Sequence, residues 1–328
     1  MTLLPLSPGE PPLRLGPFRT ESGGTLPDLR VAYRRDGPPS GSAVLVVHAL
    51  TGSADAAGDW WEPLIGPGRA LDTDERLVIC LNLLGSCYGT TGPRDVGDFP
   101  PITPRDMARA QWAALDALGV ERLDLVVGGS LGGMVALEVA LERPSAVDAV
   151  MPIAAPAVIG NLAAGWNHIQ LQLLALDRVR GLELARQLAM TTYRSEVDFD
   201  TRAGISSYLE HQGVKLRHRF HAGSYAALVE AMNAHDIGRD RGGPIEAFRL
   251  LAAAGVAVHG VGIQGDILYG PRQVRALVDA ARAAGADAVY RELASYKGHD
   301  AFLVEWEQLT DILGRALEAR EEPIAASA

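Results

Sequence analysis

A glycine-rich hexapeptide, Gly128–Gly133, constrains the fold of this chain more than any other stretch. It places Ser130 between the apolar run Leu123–Val127 and the helical pattern Met134–Leu141. A serine on so sharp a strand-to-helix turn needs small neighbours, because a flanking side chain would collide with the strand or the helix. The pattern therefore predicts that Ser130 is a nucleophile exposed above the carboxyl end of a sheet. The alternative is a plain glycine-rich turn whose serine only caps the helix.

Two backbone N–H groups are candidates for an oxyanion hole. The N–H of Leu131, at the start of the helix after Ser130, points to where an oxyanion would form. The second lies in the loop after the apolar run Ala43–His48, where Leu50 is the candidate. We interpret His48 itself as structural, because a strand-end histidine more often bonds within the core than acts in catalysis.

The order of predicted elements defines the architecture. Strands and helices alternate over residues 43–154, which is typical of a parallel sheet with helices on both faces. From about residue 156 to about residue 241 only helical periodicity occurs, and a strand pattern resumes at Val256. We therefore predict a core domain of residues 1–155 and 242–328, with a helical lid domain of residues 156–241. Examples of this helical periodicity in the lid are residues 167–176, 181–191 and 223–234.

Composition and charge exclude several classes of protein. The 328 residues are 48% hydrophobic and 21% charged, which is ordinary for a globular protein. A formal net charge of −10 argues against nucleic acid or an anionic membrane as the main partner. Cys80 and Cys87 give neither a disulfide framework nor metal-ligand spacing, which favours a reducing compartment. The first residues carry no export signal and no apolar segment is long enough to span a bilayer, so we expect a cytoplasmic protein.

Three residues follow predicted strands in the order nucleophile, acid, histidine: Ser130, Asp266 and His299. Catalytic groups gather at the carboxyl edge of a parallel sheet. A serine hydroxyl needs a histidine to take its proton, and a buried carboxylate to hold that imidazole in the right tautomer. The order and the positions together predict a catalytic triad.

Five segments of the chain carry a family resemblance: residues 47–52, 81–82 with 85–93, 128–134, 192–195 and 298–303. They resemble the homoserine O-acetyltransferase family, which has an α/β-hydrolase fold. The resemblance implies acetyl transfer from acetyl-CoA to the hydroxyl of L-homoserine, on the route to methionine. It also implies a homodimer joined through the lid helices, with acetyl-CoA as a co-substrate and no metal or permanently bound cofactor.

The resemblance assigns roles residue by residue. It gives the nucleophile as Ser130, the acid as Asp266, the base as His299, the oxyanion donors as the backbones of Leu50 and Leu131, and the substrate-binding residues as Arg186, Tyr193 and Asp300. Lid segments 166–172 and 219–225 depart from the family pattern, and they leave the acyl group and the acceptor open. The alternatives are a succinyl donor, serine as acceptor, a carboxylic ester hydrolase with the same triad, or a binding protein with an inactive site.

One basic run in the lid, Lys215–Arg219, is a candidate for binding the phosphates of CoA. An acidic protein that binds a polyanion must concentrate positive charge locally. The alternative is a solvated lid surface.

Overall fold

The structure is a computed structural model that describes residues 11–39 and 42–318. Residues 1–10, 40–41 and 319–328 of the predicted core domain lie outside the described residues.

A seven-stranded sheet forms the centre of the molecule, in the spatial order β1-β3-β2-β4-β5-β6-β7. The strands are β1 (Tyr33–Asp36), β2 (Ser42–Val47), β3 (Arg76–Leu81), β4 (Leu125–Gly129), β5 (Ala149–Ile153), β6 (Ala257–Ile263) and β7 (Ala288–Leu293). Strand β1 pairs antiparallel with β3, and all other neighbours are parallel. The predicted α/β fold with a mostly parallel sheet is confirmed.

Both faces of the sheet are buried, which explains the continuous apolar runs of its central strands. In β2, the side chains of Val44 and Val46 belong to one hydrophobic cluster, which also contains Trp61. Leu45 and Val47 belong to the cluster on the opposite face. Alternate side chains of one strand therefore pack against different helical layers.

Ten α-helices are described. They are α1 (Pro104–Ala117), α2 (Leu131–Glu142), α3 (Asn161–Leu176), α4 (Arg180–Tyr193), α5 (Glu196–Asp200), α6 (Ile205–Arg219), α7 (Ala222–Asn233), α8 (Pro244–Ala253), α9 (Pro271–Ala283) and α10 (Trp306–Glu318). Helices α3 to α7 occupy the connection between β5 and β6, where we predicted helices without a strand. The sequence pattern did not single out α5, α6 or α8 as separate helices. No helix in the described part of the chain is long and apolar enough to cross a membrane.

Four strands end at the edge of the sheet that carries the predicted site. The loop after β2 contains Leu50, and the turn after β4 contains Ser130. The loop after β6 contains Asp266, and the 3₁₀ turn after β7, Gly298–Leu303, contains His299. The parallel order of β2, β4, β6 and β7 therefore brings distant parts of the chain to one edge.

Candidate active site

Ser130 lies in the strained turn that its glycine neighbours predict. Its backbone has φ 58° and ψ −124°, a region that L-residues rarely adopt, and it precedes the first residue of α2. The turn is fixed because the N–H of Ser130 donates to the carbonyl of Ile153 on β5, at 2.9 Å. The glycines are needed for space, since a Cβ on Gly132 would lie 2.2 Å from the carbonyl oxygen of Val47.

His299 and Asp266 form a buried hydrogen-bonded pair. His299 Nδ1 lies 2.7 Å from Asp266 Oδ2, in the geometry of a ring N–H that donates to a carboxylate. The other carboxylate oxygen, Oδ1, accepts the backbone N–H groups of Leu268 and Tyr269, at 2.8 and 3.0 Å. Because both oxygens are held, Asp266 fixes the orientation and the tautomer of the imidazole.

The second ring nitrogen of His299 remains available. Nε2 is buried and has no hydrogen-bond partner among the described residues. Burial disfavours the charged imidazolium, but the charge of Asp266 and its hydrogen bond raise the pKa of His299 above its ordinary value. The ring packs against Tyr193, Tyr269 and Phe302, which limits its rotation. An imidazole held in this way is suited to accept a proton at Nε2.

One cavity of about 450 Å³ brings most of the predicted residues together. Its wall includes Leu50, Ser130, Arg186, Tyr193, His299 and Asp300. Two other predicted site residues lie behind this wall. Asp266 is hydrogen-bonded to His299, and Leu131 is the first residue of helix α2, next to Ser130. The N–H of Leu131 has no carbonyl within its own helix, because the first turn of a helix leaves such donors unpaired.

Arg186 and Tyr193 share one face of α4. They are seven residues apart, and the guanidinium carbon of Arg186 lies 5.4 Å from the centre of the Tyr193 ring. Within the described part of the chain, no carboxylate forms an ion pair with Arg186. An arginine in a cavity wall without an internal counter-charge is suited to bind an anionic ligand group.

Asp300 also lines the cavity, but it has a partner that the sequence reasoning missed. Arg194 Nη2 lies 3.0 Å from Asp300 Oδ2, and both side chains are largely buried. Tyr193 and Arg194 are neighbours in the chain, so the end of α4 contacts both Arg186 and Asp300. Only the family resemblance points to this segment, and no local pattern in the sequence indicates an ion pair between residues so far apart in the chain.

The predicted basic run is divided between two environments. Lys215 and Arg219 line the cavity. Arg219 is anchored there, because it donates to the carbonyl of Thr51 at 2.7 Å and to the hydroxyl of Tyr88 at 3.0 Å. Arg217 instead pairs with Glu183 at 2.6 Å. Two of the cations therefore add positive charge to the cavity, and the third is neutralised in the helical region.

Other polar residues near the sheet edge have structural contacts. His48 is buried, with Nδ1 donating to the carbonyl of Ala49 at 2.8 Å and Nε2 accepting the N–H of Leu83 at 2.9 Å. Burial lowers the pKa of His48 to about 4, so the ring is neutral near pH 7. Burial raises the pKa of the Cys87 thiol, which disfavours a reactive thiolate. No cluster of metal-binding side chains occurs among residues 11–39 and 42–318.

Comparison with known proteins gives the family of the chain. Residues 42–229 match the family model described as alpha/beta hydrolase fold. A homoserine O-acetyltransferase of Thermus thermophilus is 45% identical, over 90% of this chain and 88% of its own length. One from Moorella thermoacetica is 38% identical, over 93% of this chain and 95% of its own length.

Solved structures agree with the sequence comparison. A crystal structure of homoserine O-acetyltransferase from Staphylococcus aureus has a TM-score of 0.86 and 30% identity, covering 94% of this chain and 95% of the other. The esterase E22 has the same TM-score at 20% identity, covering 93% and 98% of the two chains, which shows the fold alone. Identity above 30% along nearly the full length of several relatives is decisive, and this chain belongs to the homoserine O-acetyltransferase family.

Proposed function

We propose that the protein transfers an acetyl group from acetyl-CoA to the hydroxyl of L-homoserine through an acetyl-serine intermediate, as a step of methionine biosynthesis. The relatives named above support the reaction. The observation that carries the proposal is the lining of a single cavity, where Ser130 and His299 stand beside groups of opposite charge, Arg186 and Asp300. Homoserine is a zwitterion, so its site needs a cation for the carboxylate and an anion for the ammonium.

In the first half-reaction, Ser130 Oγ attacks the thioester carbonyl carbon while His299 Nε2 takes the hydroxyl proton. Asp266 stabilises the imidazolium that forms. The backbone N–H groups of Leu50 and Leu131 hold the negative oxygen of the tetrahedral intermediate. The C–S bond then breaks, and the thiolate of CoA leaves with the proton from His299. Acetyl-CoA is thus a co-substrate, and Lys215 is a candidate partner for its phosphates.

In the second half-reaction, the homoserine hydroxyl gives its proton to His299 and attacks the acetyl carbon on Ser130. The ester bond to Ser130 breaks, and the serine recovers its proton. Arg186, stacked on Tyr193, is assigned to the acceptor carboxylate, and Asp300 is assigned to the ammonium group. The acceptor is then held at both charged ends, which orients its hydroxyl towards the acyl group.

We also propose that residues 156–241 act as a lid domain over a core domain of residues 1–155 and 242–328. The supporting observation is the mixed lining of the cavity. Helices α4 and α6 contribute Arg186, Tyr193 and Lys215, whereas Ser130 and His299 come from loops at the edge of the sheet. A cover of this kind keeps water from the acyl-serine, which favours transfer over hydrolysis.

A homodimer through the lid helices is part of the proposal. Leu162, Ile169 and Leu176 follow one another at intervals of seven residues on α3, and their exposed fractions are 65%, 48% and 84%. Large apolar side chains on one exposed helix face mark an interaction surface. We expect Ile169→Asp to lower the mass measured by light scattering, with Ile245→Asp, on α8, as a control outside the lid. A monomeric wild-type protein would contradict this assembly.

A cytoplasmic location completes the proposal. Both cysteines, Cys80 and Cys87, are free thiols. Free thiols are the ordinary state in a reducing compartment. A reporter fusion that is active only in the cytoplasm would support the location.

The direct test is an activity matrix with purified protein. We would combine acetyl-CoA or succinyl-CoA with L-homoserine, L-serine or no acceptor, and measure both free CoA and the O-acyl product. The proposal predicts the highest kcat/KM for acetyl-CoA with L-homoserine and slow release of CoA without an acceptor. Rapid CoA release that no amino acid accelerates would show an ester hydrolase instead, and preference for succinyl-CoA or serine would change the substrates.

A further inference from the structure

Helix α4 ends against the turn that carries the histidine. Just after α4, Ser195 Oγ donates to the carbonyl of Tyr296. The backbones also touch, because a Cβ on Gly298 would lie 2.6 Å from the nitrogen of Ser195. Lys297 adds an ion pair, with Nζ at 3.4 Å from Asp198 Oδ1 on α5. These contacts hold the turn, and with it His299, without the side chain of Arg194.

The Arg194 side chain is therefore not needed to hold this turn, and its main contact is with Asp300. Its Nη2 lies 3.0 Å from Asp300 Oδ2, and the exposed fractions of the two side chains are 17% and 13%. A bond between a guanidinium and a carboxylate in such a place is short, charge-assisted and weakly screened by water. The Arg194 Nε, by contrast, is buried without a hydrogen-bond partner in the described residues. One donor of the guanidinium is therefore buried and unpaired, which costs free energy. The bond from Arg194 to Asp300 must offset this cost.

We infer that Arg194 is a positioning residue for the amino-acid acceptor: it aims the carboxylate of Asp300 into the cavity, so that the acceptor ammonium meets a carboxylate held in a fixed orientation. This inference rests on the proposed function. It links the lid to acceptor binding, since Arg194 follows α4 directly and Asp300 follows His299. The arginine does not touch the reacting atoms, and its effect passes through Asp300.

The test separates the two half-reactions. Arg194→Gln is expected to raise the KM for L-homoserine about 10- to 100-fold, the effect of losing a hydrogen bond between charged groups. Formation of the acetyl-enzyme, measured as the burst of CoA without an acceptor, should change little. Arg194→Lys should recover part of the loss, because it keeps the charge without the planar fork. Arg202→Gln is the matched control, because it removes a similar pair of a guanidinium and a carboxylate that does not include Asp300. Arg202 pairs with Asp198 at 2.7 Å.

A double-mutant cycle decides whether the effect passes through Asp300. The variant with both Arg194→Gln and Asp300→Asn should have nearly the homoserine KM of Asp300→Asn alone. Additive effects, or equal losses in both half-reactions of folded Arg194→Gln, would overturn the inference while leaving the proposed function intact. If Arg194→Gln does not fold, the same comparison is made with Arg194→Lys, and equal losses there overturn it. A wild-type enzyme that makes no O-acetylhomoserine would overturn the proposed function, and this inference with it.

Discussion

Ser130 and His299 occupy surroundings that stability alone does not favour. The positive φ of Ser130, at 58°, is strained for a residue with a side chain, at a typical cost of about 1–3 kcal/mol. His299 Nε2 is buried without a partner in the described residues, at a cost of similar size. Such costs concentrate at functional sites, where the surrounding fold offsets them. These surroundings support the proposal that Ser130 and His299 act together in catalysis.

The pKa of His299 predicts the acid limb of the pH profile. His299 must be neutral to accept the proton of Ser130, and its pKa is raised above the ordinary 6.5 by the charge and hydrogen bond of Asp266, despite burial. Activity should therefore fall as the pH decreases through a midpoint above 6.5. The measurement is kcat/KM for acetyl-CoA against pH, with KM for homoserine checked at each pH. A midpoint below the ordinary value would contradict the role of Asp266.

Arg186 provides a test of acceptor recognition. Arg186→Lys keeps the charge but loses the planar fork, so the KM for L-homoserine should rise about tenfold or more. The acetyl-enzyme should form from acetyl-CoA at nearly the wild-type rate. Arg180→Lys on the same helix is the control, because Arg180 pairs with Glu183 at 2.6 Å. Equal damage to both half-reactions would mean that Arg186 supports the lid instead.

At the scale of elements, the turn from β4 to α2 depends on backbone contact. Gly132→Ala would place a Cβ 2.2 Å from the carbonyl oxygen of Val47, and neither backbone can move without disturbing the sheet. We expect a loss of about 1–3 kcal/mol in the free energy of unfolding, together with loss of activity. Gly314→Ala in α10, where nothing lies within 4 Å of the added carbon, should stabilise by about 0.5–1 kcal/mol. Denaturant unfolding measures both, and an unaffected Gly132→Ala would disprove the packing argument.

The sequence predicts the strands better than the lid helices, for a physical reason. Central strands such as β2 and β4 are covered on both faces, so each is a continuous apolar run bounded by turns. Helix α6 buries only Gly213 and Leu216, and its charged residues obscure the helical period. Helix α5 has five residues, too few for a periodic pattern. Neither stands out in the sequence, because tertiary contacts and not an amphipathic pattern stabilise them.

In the candidate site, too, some residues could be predicted from the sequence pattern and others could not. Ser130, Asp266 and His299 could be predicted because each follows a strand, and parallel strands end at a common edge. The assignments of Arg186, Tyr193 and Asp300 depend on the family resemblance. The pair of Arg194 and Asp300 could not be predicted, because it joins the end of a lid helix to a turn of the core. Their roles in catalysis and binding stay predictions.

At the scale of the whole molecule, the two connections to the helical region are bonded to each other. The N–H of Ile159 donates to the carbonyl of His235 at 3.0 Å, and the N–H of Ile237 donates to that of Ala157 at 3.1 Å. His235 Nε2 adds a 2.8 Å contact to the carbonyl of Pro156. The two segments that connect α3–α7 to the rest of the chain are therefore hydrogen-bonded to each other and are not independent linkers.

This junction predicts a pH dependence of stability. Burial lowers the pKa of His235 from 6.5 to about 4, so below pH 6.5 the unfolded chain takes up a proton that the folded protein does not. The contribution of His235 to stability is thus complete above pH 6.5 and decreases as the pH falls towards about 4, by up to about 1.4 kcal/mol per pH unit. Urea unfolding at about pH 7 and about pH 5 should show a smaller decrease for His235→Gln than for wild type. An equal decrease in the free energy of unfolding for His235→Gln and wild type would refute the role of His235.

The central claim is a covalent acetyl group on Ser130 that an amino acid removes. Triad members act as one unit, so Ser130→Ala should cost about 10⁴-fold or more in turnover. Turnover alone, however, does not reveal an intermediate.

Intact-protein mass spectrometry after rapid acid quenching tests the claim most directly. With acetyl-CoA alone, the wild-type protein should gain the mass of one acetyl group, and peptide mapping should place it on Ser130. Addition of L-homoserine should discharge the acetyl group and yield an equal amount of O-acetylhomoserine, whereas Ser130→Ala should never become acetylated. Wild-type protein that forms O-acetylhomoserine in single-turnover experiments without acetylation of Ser130 would contradict the account.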